Sequence, residues 1–112
     1  AGSGSFFRDG EYIPLFKVTP IYPRRAQERG IMGYAVVSFT ITETGTVENP
    51  EALEGMCGDP TDPATVFRPC SIFNSAAARS AVKLKYKPKI VDGKAVRVDN
   101  VPHKFTFILE ED

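Results

Sequence analysis

Apolar and polar residues alternate most clearly between Gly33 and Thr42. Every second side chain there is apolar, which puts one set on a single face of an extended strand: Ala35, Val37, Phe39 and Ile41. The opposite face is half polar, as in an antiparallel sheet covered on one side. Gly45 supplies a turn, after which a second strand is predicted from Val47 to Glu54, weakened by Pro50.

A short helix is predicted ahead of the first strand. Pro23 can occupy the first helical position, where its missing N–H costs nothing, and Gly30 fits a left-handed cap at the other end. The helix is therefore expected to run from Pro23 to about Arg29.

A second helix is predicted after Ser71, which can cap it, and Pro88 ends it with the preceding residues already extended. Its apolar residues recur at three- and four-residue spacing: Phe73, Ala77, Ala81 and Leu84. The cluster of alanines allows the helix to approach a sheet closely.

The C-terminal part predicts a hairpin followed by an edge strand. Asp92 and Gly93 stand between alternating apolar residues, which favours a small hairpin or arm from Ile90 to Val98. The last strand points Phe105, Phe107 and Leu109 inward. Because Pro102 cannot donate a ladder hydrogen bond, the beginning of this strand is best placed at a sheet edge.

Together these elements predict an α+β fold: a three-stranded antiparallel sheet with two helices packed on one face, plus a small hairpin arm. The chain has 112 residues, 42% of them hydrophobic, which suits one compact domain. Residues 1–5, AGSGS, are expected to be a remnant of cloning or the end of a linker, and residues 6–20 an N-terminal extended segment. Residues 21–112 are expected to form the folded domain.

Charge and hydropathy exclude two classes of protein: those that attract nucleic acid through a global positive charge and those that cross a membrane. Lysine plus arginine and aspartate plus glutamate balance at 14 each, so no global field attracts nucleic acid. The apolar runs are far shorter than the roughly 20 residues that span a bilayer, and the start has no signal-peptide pattern. Local basic character remains in Arg24, Arg25 and Arg29 and in the alternating lysines from Lys83 to Lys89. Helix solubility is the favoured account of the arginines, and a solvent-facing row that discourages aggregation between sheets is the favoured account of the lysines.

Cys57 and Cys70 are the only cysteines. Their even number permits one disulfide, which would stabilise the fold by about 3 kcal/mol in the chain-entropy model. The alternative is two reduced cysteines in a cytosolic chain, and the oxidising compartment is the favoured reading. A zinc site would lack ligands, because no CxxC motif or histidine cluster accompanies them.

Candidate catalytic residues are sparse, so no enzyme, cofactor or metal is expected. The single histidine, His103, stands at a strand start next to a proline and lacks a nucleophile partner. The carboxylate pairs Glu43 with Glu48 and Asp59 with Asp62 fall in turns and loops, where solvated turn residues are usual. The glycines make neither GxGxxG nor GxxxxGK[ST].

Three stretches of the chain share an ordered combination of short motifs: PLFKVTPIYPRRAQERGIMGYAVVSFTITETGTV, FNSAAARSAVKLKYKPKIVDGKAV and VPHKFTFIL. They contain Tyr22-Pro23 before an arginine-bearing helix, an alanine-rich helix running into Tyr86-x-Pro88, and the Asp92-Gly93 hairpin. In this order they resemble the C-terminal periplasmic domain of the TonB energy-transducer family of Gram-negative bacteria. The resemblance extends from about Tyr12 to Leu109.

The chain departs from that family at two places. Many members carry tryptophan where this chain has Leu84, so the packing position is lighter here. The segment from Cys57 to Cys70 looks like an expansion of the usual loop between the second strand and the second helix.

The resemblance implies a periplasmic protein anchored to the inner membrane by an N-terminal helix outside this chain, where ExbB and ExbD use the proton gradient. The domain would bind the TonB box, a short segment of outer-membrane transporters for siderophores, cobalamin or similar nutrients. An open edge strand can accept such a segment by β-strand addition, and pulling on it would loosen the transporter's plug.

The resemblance also implies which residues bind. The gripping strand runs from Val101 to Leu109, and its contact residues are Val101, His103, Lys104, Phe105, Thr106, Phe107, Ile108 and Leu109. A second group around the first helix is expected to contact the plug or the periplasmic face of the transporter: Thr19, Tyr22, Arg24, Arg25 and Gln27. A monomer is favoured over a homodimer formed by strand exchange.

Three alternatives remain at the level of sequence. A Tol-like periplasmic linker domain would share the sheet but not the Tyr-Pro helix. A small secreted binding module stabilised by a disulfide is the second alternative, and an enzyme, opposed by the single histidine, is the third.

Overall fold

The computed structural model describes residues 12–110, so the predictions for residues 1–5 and for the first part of segment 6–20 lie outside the described residues. The helices and strands are, in chain order, α1 (Arg24–Glu28), β1 (Gly33–Ile41), β2 (Val47–Cys57), β3 (Arg68–Pro69), α2 (Asn74–Ala81), β4 (Lys89–Val91), β5 (Lys94–Val96) and β6 (Val98–Phe107).

The main sheet has the strand order β3-β2-β1-β6, and β4 and β5 form a separate two-stranded sheet. All pairings are antiparallel, which confirms the α+β class and the hairpin arm. The predicted number of three main strands is wrong, because Arg68 and Pro69 pair with Cys57 and Met56 and add a fourth. β3 has no sequence signal of its own: it is two residues long, and the Cys57–Cys70 disulfide closes the loop that places it.

One hydrophobic core lies between the helices and the face of the sheet that carries the alternating residues of β1. Three groups supply most of it, from β1, from α2 with its flanks, and from β6: Ala35, Val37, Phe39, Ile41, Phe73, Ala77, Ala81, Leu84, Val101, Phe105 and Phe107. Ala26 of α1 belongs to the same core. The predicted apolar stripes of the first strand and the second helix are therefore confirmed.

The opposite face of β1 is buried as well, which the half-polar pattern did not predict. On this face Val36, Ser38 and Thr40 are buried and Tyr34 is half-buried, and Thr42, just after the strand, is buried too. β1 lies in the middle of the sheet, so β2 and β6 shield it on both sides. Thr40 Oγ1 satisfies its hydroxyl by donating to Asp99 Oδ1 of β6 at 2.8 Å.

The predicted ends of the helices are partly confirmed. Gly30 has φ +68° and follows α1 as the expected left-handed cap, whereas Pro23 is the N-cap residue rather than the first helical residue. Ser71 is not the cap of α2, since the N-cap is Phe73 and the Ser71 carbonyl accepts a turn hydrogen bond from the Asn74 N–H at 3.1 Å.

α2 also stops seven residues before Pro88, at Ala81. The next hydrogen bonds are shorter-range, from the Lys83 N–H to the Ser80 carbonyl and from the Leu84 N–H to the Ala81 carbonyl. Lys85 then pairs with Thr46 beside the β1–β2 turn. Tertiary pairing therefore ends the helical region earlier than proline requires.

Candidate functional site

β6 forms one edge of the main sheet. It pairs with β1 on one side and with no strand of the described residues on the other. Its pairing with β1 runs without a register shift from Phe39↔Val101 to Gly33↔Phe107. Apart from Pro102, which has no N–H to donate, the backbone groups along the free side of these seven residues form a regular row that can pair with another strand.

Buried side chains hold this edge in place. Val101, Phe105 and Phe107 enter the core, while Lys104 and Thr106 point outward and are exposed. The ring of Phe107 stacks on Phe73 with a centroid distance of 4.4 Å and meets the edge of Tyr22 at 5.7 Å. The predicted inward direction of Phe105 and Phe107 is confirmed.

The two ends of β6 differ from the prediction. β6 begins at Val98, three residues before the predicted Val101, and it ends at Phe107. Ile108 and Leu109 lie beyond the strand and take no part in its ladder, because β1, the strand with which β6 pairs, begins at Gly33 opposite Phe107.

Gly33 fixes this common end of the sheet. It pairs with Phe107 on one side and with Cys57 on the other. A Cβ atom at this position would lie 2.0 Å from the Met56 carbonyl oxygen and 2.8 Å from the Phe73 ring. Only glycine lets the strands and the α2 region approach one another this closely.

A groove of about 530 Å³ runs along the free side of β6. Residues 13–20, except Leu15, form its outer wall, residues 103–106 form its inner wall, and Leu84 also lines it. The Leu15 N–H donates to the Lys85 carbonyl oxygen at 2.7 Å, which ties the outer wall to the region after α2. Sequence reasoning missed this groove, since the apolar residues of the IPLFKV stretch show no strand or helix period.

The residues predicted around the first helix fall into two groups. Thr19 lines the groove together with His103 and Lys104, so the structure brings it to the edge strand. Arg24, Arg25 and Gln27 are exposed on α1 and do not line the groove. Arg24 Nε forms an exposed ion pair with Glu28 Oε2 at 3.5 Å.

Tyr22 joins α1 to the end of β6. Its hydroxyl donates to the Ile31 carbonyl, and its ring meets the edges of Phe73 and Phe107. Burial raises the pKa of the Tyr22 phenol. The helix is thereby fixed against the sheet by Tyr22 and Ala26 while its arginines face solvent.

Tyr34 of β1 lies on the face of the sheet opposite the helices, between the long strands β2 and β6. Lys104 Nζ lies 4.3 Å from the centroid of the Tyr34 ring, a cation–π contact, and Phe67 meets the ring at 5.2 Å. Burial raises the pKa of Tyr34, and the Glu54 carboxylate raises it further. The Lys104 side chain thus lies over the face of the sheet that carries Tyr34.

The predicted disulfide between Cys57 and Cys70 is formed and braces the loop that contains β3. Asp59 Oδ1 accepts hydrogen bonds from the Thr61 N–H and hydroxyl at 2.8 and 2.6 Å, and these bonds lower the pKa of Asp59. Asp62 Oδ1 accepts from the Ala64 N–H at 2.9 Å. The two aspartates of the predicted turn therefore serve as turn residues.

Within the described residues, no group of histidine, cysteine, aspartate or glutamate is arranged to hold a metal ion. The helices among residues 12–110 are also too short and too polar to cross a membrane. His103, on β6, has its ring 4.7 Å from that of Phe105.

These features define the class: an α+β domain with an anchored, open edge strand and an adjoining groove, as in domains that bind extended peptides. A family model described as the Gram-negative bacterial TonB protein C-terminal matches residues 18–109. The chain therefore belongs to the TonB C-terminal domain family. Domains of this family are periplasmic in Gram-negative bacteria.

Individual relatives agree with this assignment. The chain is 33% identical over 94 residues to Protein TonB of Pseudomonas aeruginosa, an alignment that covers 84% of this chain and 24% of that protein. The chain thus spans about a quarter of the length of this relative.

Two solved structures share the fold. The solution structure of the P. aeruginosa TonB C-terminal domain aligns with a TM-score of 0.60 and 29% identity, covering 94% of this chain and 93% of that one. The TonB2 protein of Vibrio anguillarum aligns with a TM-score of 0.55 and 31% identity, covering 88% of this chain and 82% of that one.

Proposed function

We propose that this chain is the periplasmic C-terminal domain of a TonB-type energy transducer that binds the TonB box of outer-membrane nutrient transporters by strand addition to β6. In this proposal an N-terminal helix anchors the protein in the inner membrane, where ExbB and ExbD use the proton gradient. The domain transmits that energy to the plug of transporters for siderophores, cobalamin or similar nutrients.

The open edge of β6 is the observation that carries the proposal. Seven consecutive residues pair regularly with β1, and three of their side chains are buried. An added strand would therefore meet a backbone row that is already ordered, so little conformational entropy is lost by the domain on binding. Main-chain hydrogen bonds depend little on the sequence of the peptide, which suits one domain that serves several transporters.

α1 supplies a second contact in this proposal. Tyr22 fixes the helix, and the exposed guanidinium groups of Arg24 and Arg25 can form paired hydrogen bonds with carboxylates on the transporter. Gln27 lies on the same exposed helix, and Thr19 lines the groove beside β6. These residues would contact the plug or the periplasmic face.

The direction of pulling matters for such a contact. When force acts along two paired strands, all hydrogen bonds between them are loaded together, whereas force across the strands breaks them one at a time. We expect the force to be carried by the backbone hydrogen bonds of the added strand, all of them loaded together along β6. A proline scan of the bound peptide that leaves binding unchanged would contradict this expectation.

The test is a titration of the ¹⁵N-labelled domain with a synthetic peptide that copies the TonB box of a transporter from the same bacterium, followed by NMR. The expected result is a set of amide shifts concentrated on residues 101–107. Saturable binding with shifts confined to α1 or the loop between Cys57 and Cys70 would move the site. No shift at any residue would contradict the proposal.

N-methylation of the peptide backbone provides a matched control. In an added strand, alternate N–H groups point toward β6 and away from it. Methyl groups on the inward N–H groups should abolish binding, and methyl groups on the outward ones should leave it nearly unchanged. Equal effects at all positions would rule out strand addition.

A further inference from the structure

We propose that the groove beside β6 receives a bulky aliphatic side chain of the added strand, so that Leu84 and the wall formed by residues 13–20 select which peptides bind. This inference rests on the proposed function, since it requires an added strand at β6. It adds a side-chain specificity to an interaction that the backbone alone leaves nearly independent of sequence.

The geometry follows from the alternation of side chains. His103 and Phe105 lie on the helix side of β6, and both line the groove. A strand that pairs with the free side of β6 places every second side chain on this same side of the sheet. Such a side chain enters the groove above Leu84, whereas its neighbours along the peptide lie on the face of Lys104.

The outer wall is held in place, so the groove has a defined width. Val18 packs against the core, and the Leu15 N–H donates to the Lys85 carbonyl. Ile13 lines the groove, yet 72% of its surface is exposed. An aliphatic side chain between Ile13 and Leu84 would remove apolar surface of the wall from water.

Charge further defines the occupant. Lys17 and Lys104 line the groove, and none of the described residues that line it is acidic. Lys17 takes part in neither of the two ion pairs formed among the described residues. The groove thus fits an extended peptide of a partner protein that carries an aliphatic residue at the groove-facing position and a carboxylate close to it.

The experiment compares pairs of peptides. Each pair copies the N-terminal extension of an outer-membrane transporter from the same bacterium and differs only in having leucine or alanine at one position. Isothermal titration calorimetry gives the Kd of each peptide for the domain. One position should prefer leucine by about tenfold, the ratio expected when most of the added aliphatic surface is buried.

Three variants of the domain locate this preference. Leu84→Trp fills the floor of the groove, and Ile13→Ser removes apolar surface from its rim without touching the buried core. Ile21→Ser is the matched control, because Ile21 is 74% exposed, close to the 72% of Ile13, and does not line the groove. Ile13→Ser keeps the test decisive if Leu84→Trp fails to fold.

The expected result is a leucine preference that falls to about threefold or less in Ile13→Ser and Leu84→Trp and persists in Ile21→Ser. Peptides that bind and shift residues 101–107 without any leucine preference would overturn this inference and leave the proposed function standing. A preference that all three variants retain would also overturn it. If no peptide binds, the proposed function fails and the inference fails with it.

Sedimentation of the domain alone tests whether a second copy of the chain occupies the groove instead of a peptide. A dimer that Ile13→Ser dissociates would assign the groove to a second copy of the chain and overturn the inference. A monomer at the concentrations used for calorimetry agrees with it.

Discussion

The two long edges of the main sheet are built in opposite ways. β6 pairs with β1 without interruption for seven residues, from Val101 to Phe107, although this stretch contains Pro102 and follows Asn100 at φ +59°. β2, near the other edge, is interrupted within its pairing to β1 by Pro50, by Asn49 at φ +56° and by two register shifts. β2 also carries Glu48, Glu51 and Glu54, and β3 covers its end. Prolines, bulges and charges are the usual means by which proteins keep a strand edge from pairing. The comparison teaches that, among the described residues, β6 offers a partner strand the longer uninterrupted stretch.

The largest effect is expected when the support of the β6 edge is removed. Phe107 is 1% exposed and stacks on Phe73, so Phe107→Ala should lower the free energy of unfolding by about 3–5 kcal/mol, as measured by urea denaturation. Leu53→Ala on β2 is the control: Leu53 is 53% exposed, and the change should stay within about 0.5 kcal/mol. Equal losses in the two variants would contradict the difference between the edges.

A smaller effect is expected when the brace at the β2 edge is removed. The double variant Cys57→Ala, Cys70→Ala should lose about 3 kcal/mol of unfolding free energy, because the open loop restores entropy to the unfolded chain. The Kd for a peptide bound at β6 should stay within about twofold of the wild-type value, since β1 separates β6 from β2. Wild-type domain in reductant should behave like the variant. Loss of peptide binding would show that the two edges are coupled.

The smallest effect concerns Tyr34, which lies between Glu54 of β2 and Lys104 of β6. Burial first and Glu54 second raise its pKa above 10.0, so the fold favours the neutral phenol. The resulting stability is fully present below pH 10 and is lost as the pH rises through the folded-state pKa. Tyr34→Phe should therefore reduce the fall in Tm at alkaline pH. Part of the fall should remain, because the pKa of Tyr22 is raised as well. An unchanged alkaline profile would show that Tyr34 does not link the strands.

Local sequence patterns predicted the parts of the fold that depend on local chemistry. The alternation from Ala35 to Ile41 gave the buried face of β1, and Asp92-Gly93, with φ values of +51° and +80°, gave the hairpin. The open edge at the last strand also followed, because Pro102 argues against a central position.

The remaining features depend on contacts between distant parts of the chain. β3 exists because Cys57 and Cys70 are joined, and α2 ends early because Lys85 pairs with Thr46. The outer wall of the groove is held by the hydrogen bond from the Leu15 N–H to the Lys85 carbonyl, and no periodic pattern in the sequence predicts this contact. The end of β6 at Phe107 likewise depends on where β1 begins, which the composition of β6 itself cannot show.

The uninterrupted pairing from Val101 to Phe107 also has a consequence for length. Seven residues of β-strand extend over about 23 Å, and the sheet beyond them has no further regular partner row to offer. The domain therefore limits how much of an added strand can pair: residues of a recognition segment beyond about seven find no backbone to pair with. Any affinity that a longer segment gains must come from side chains that contact α1, the groove wall or the disulfide-braced loop.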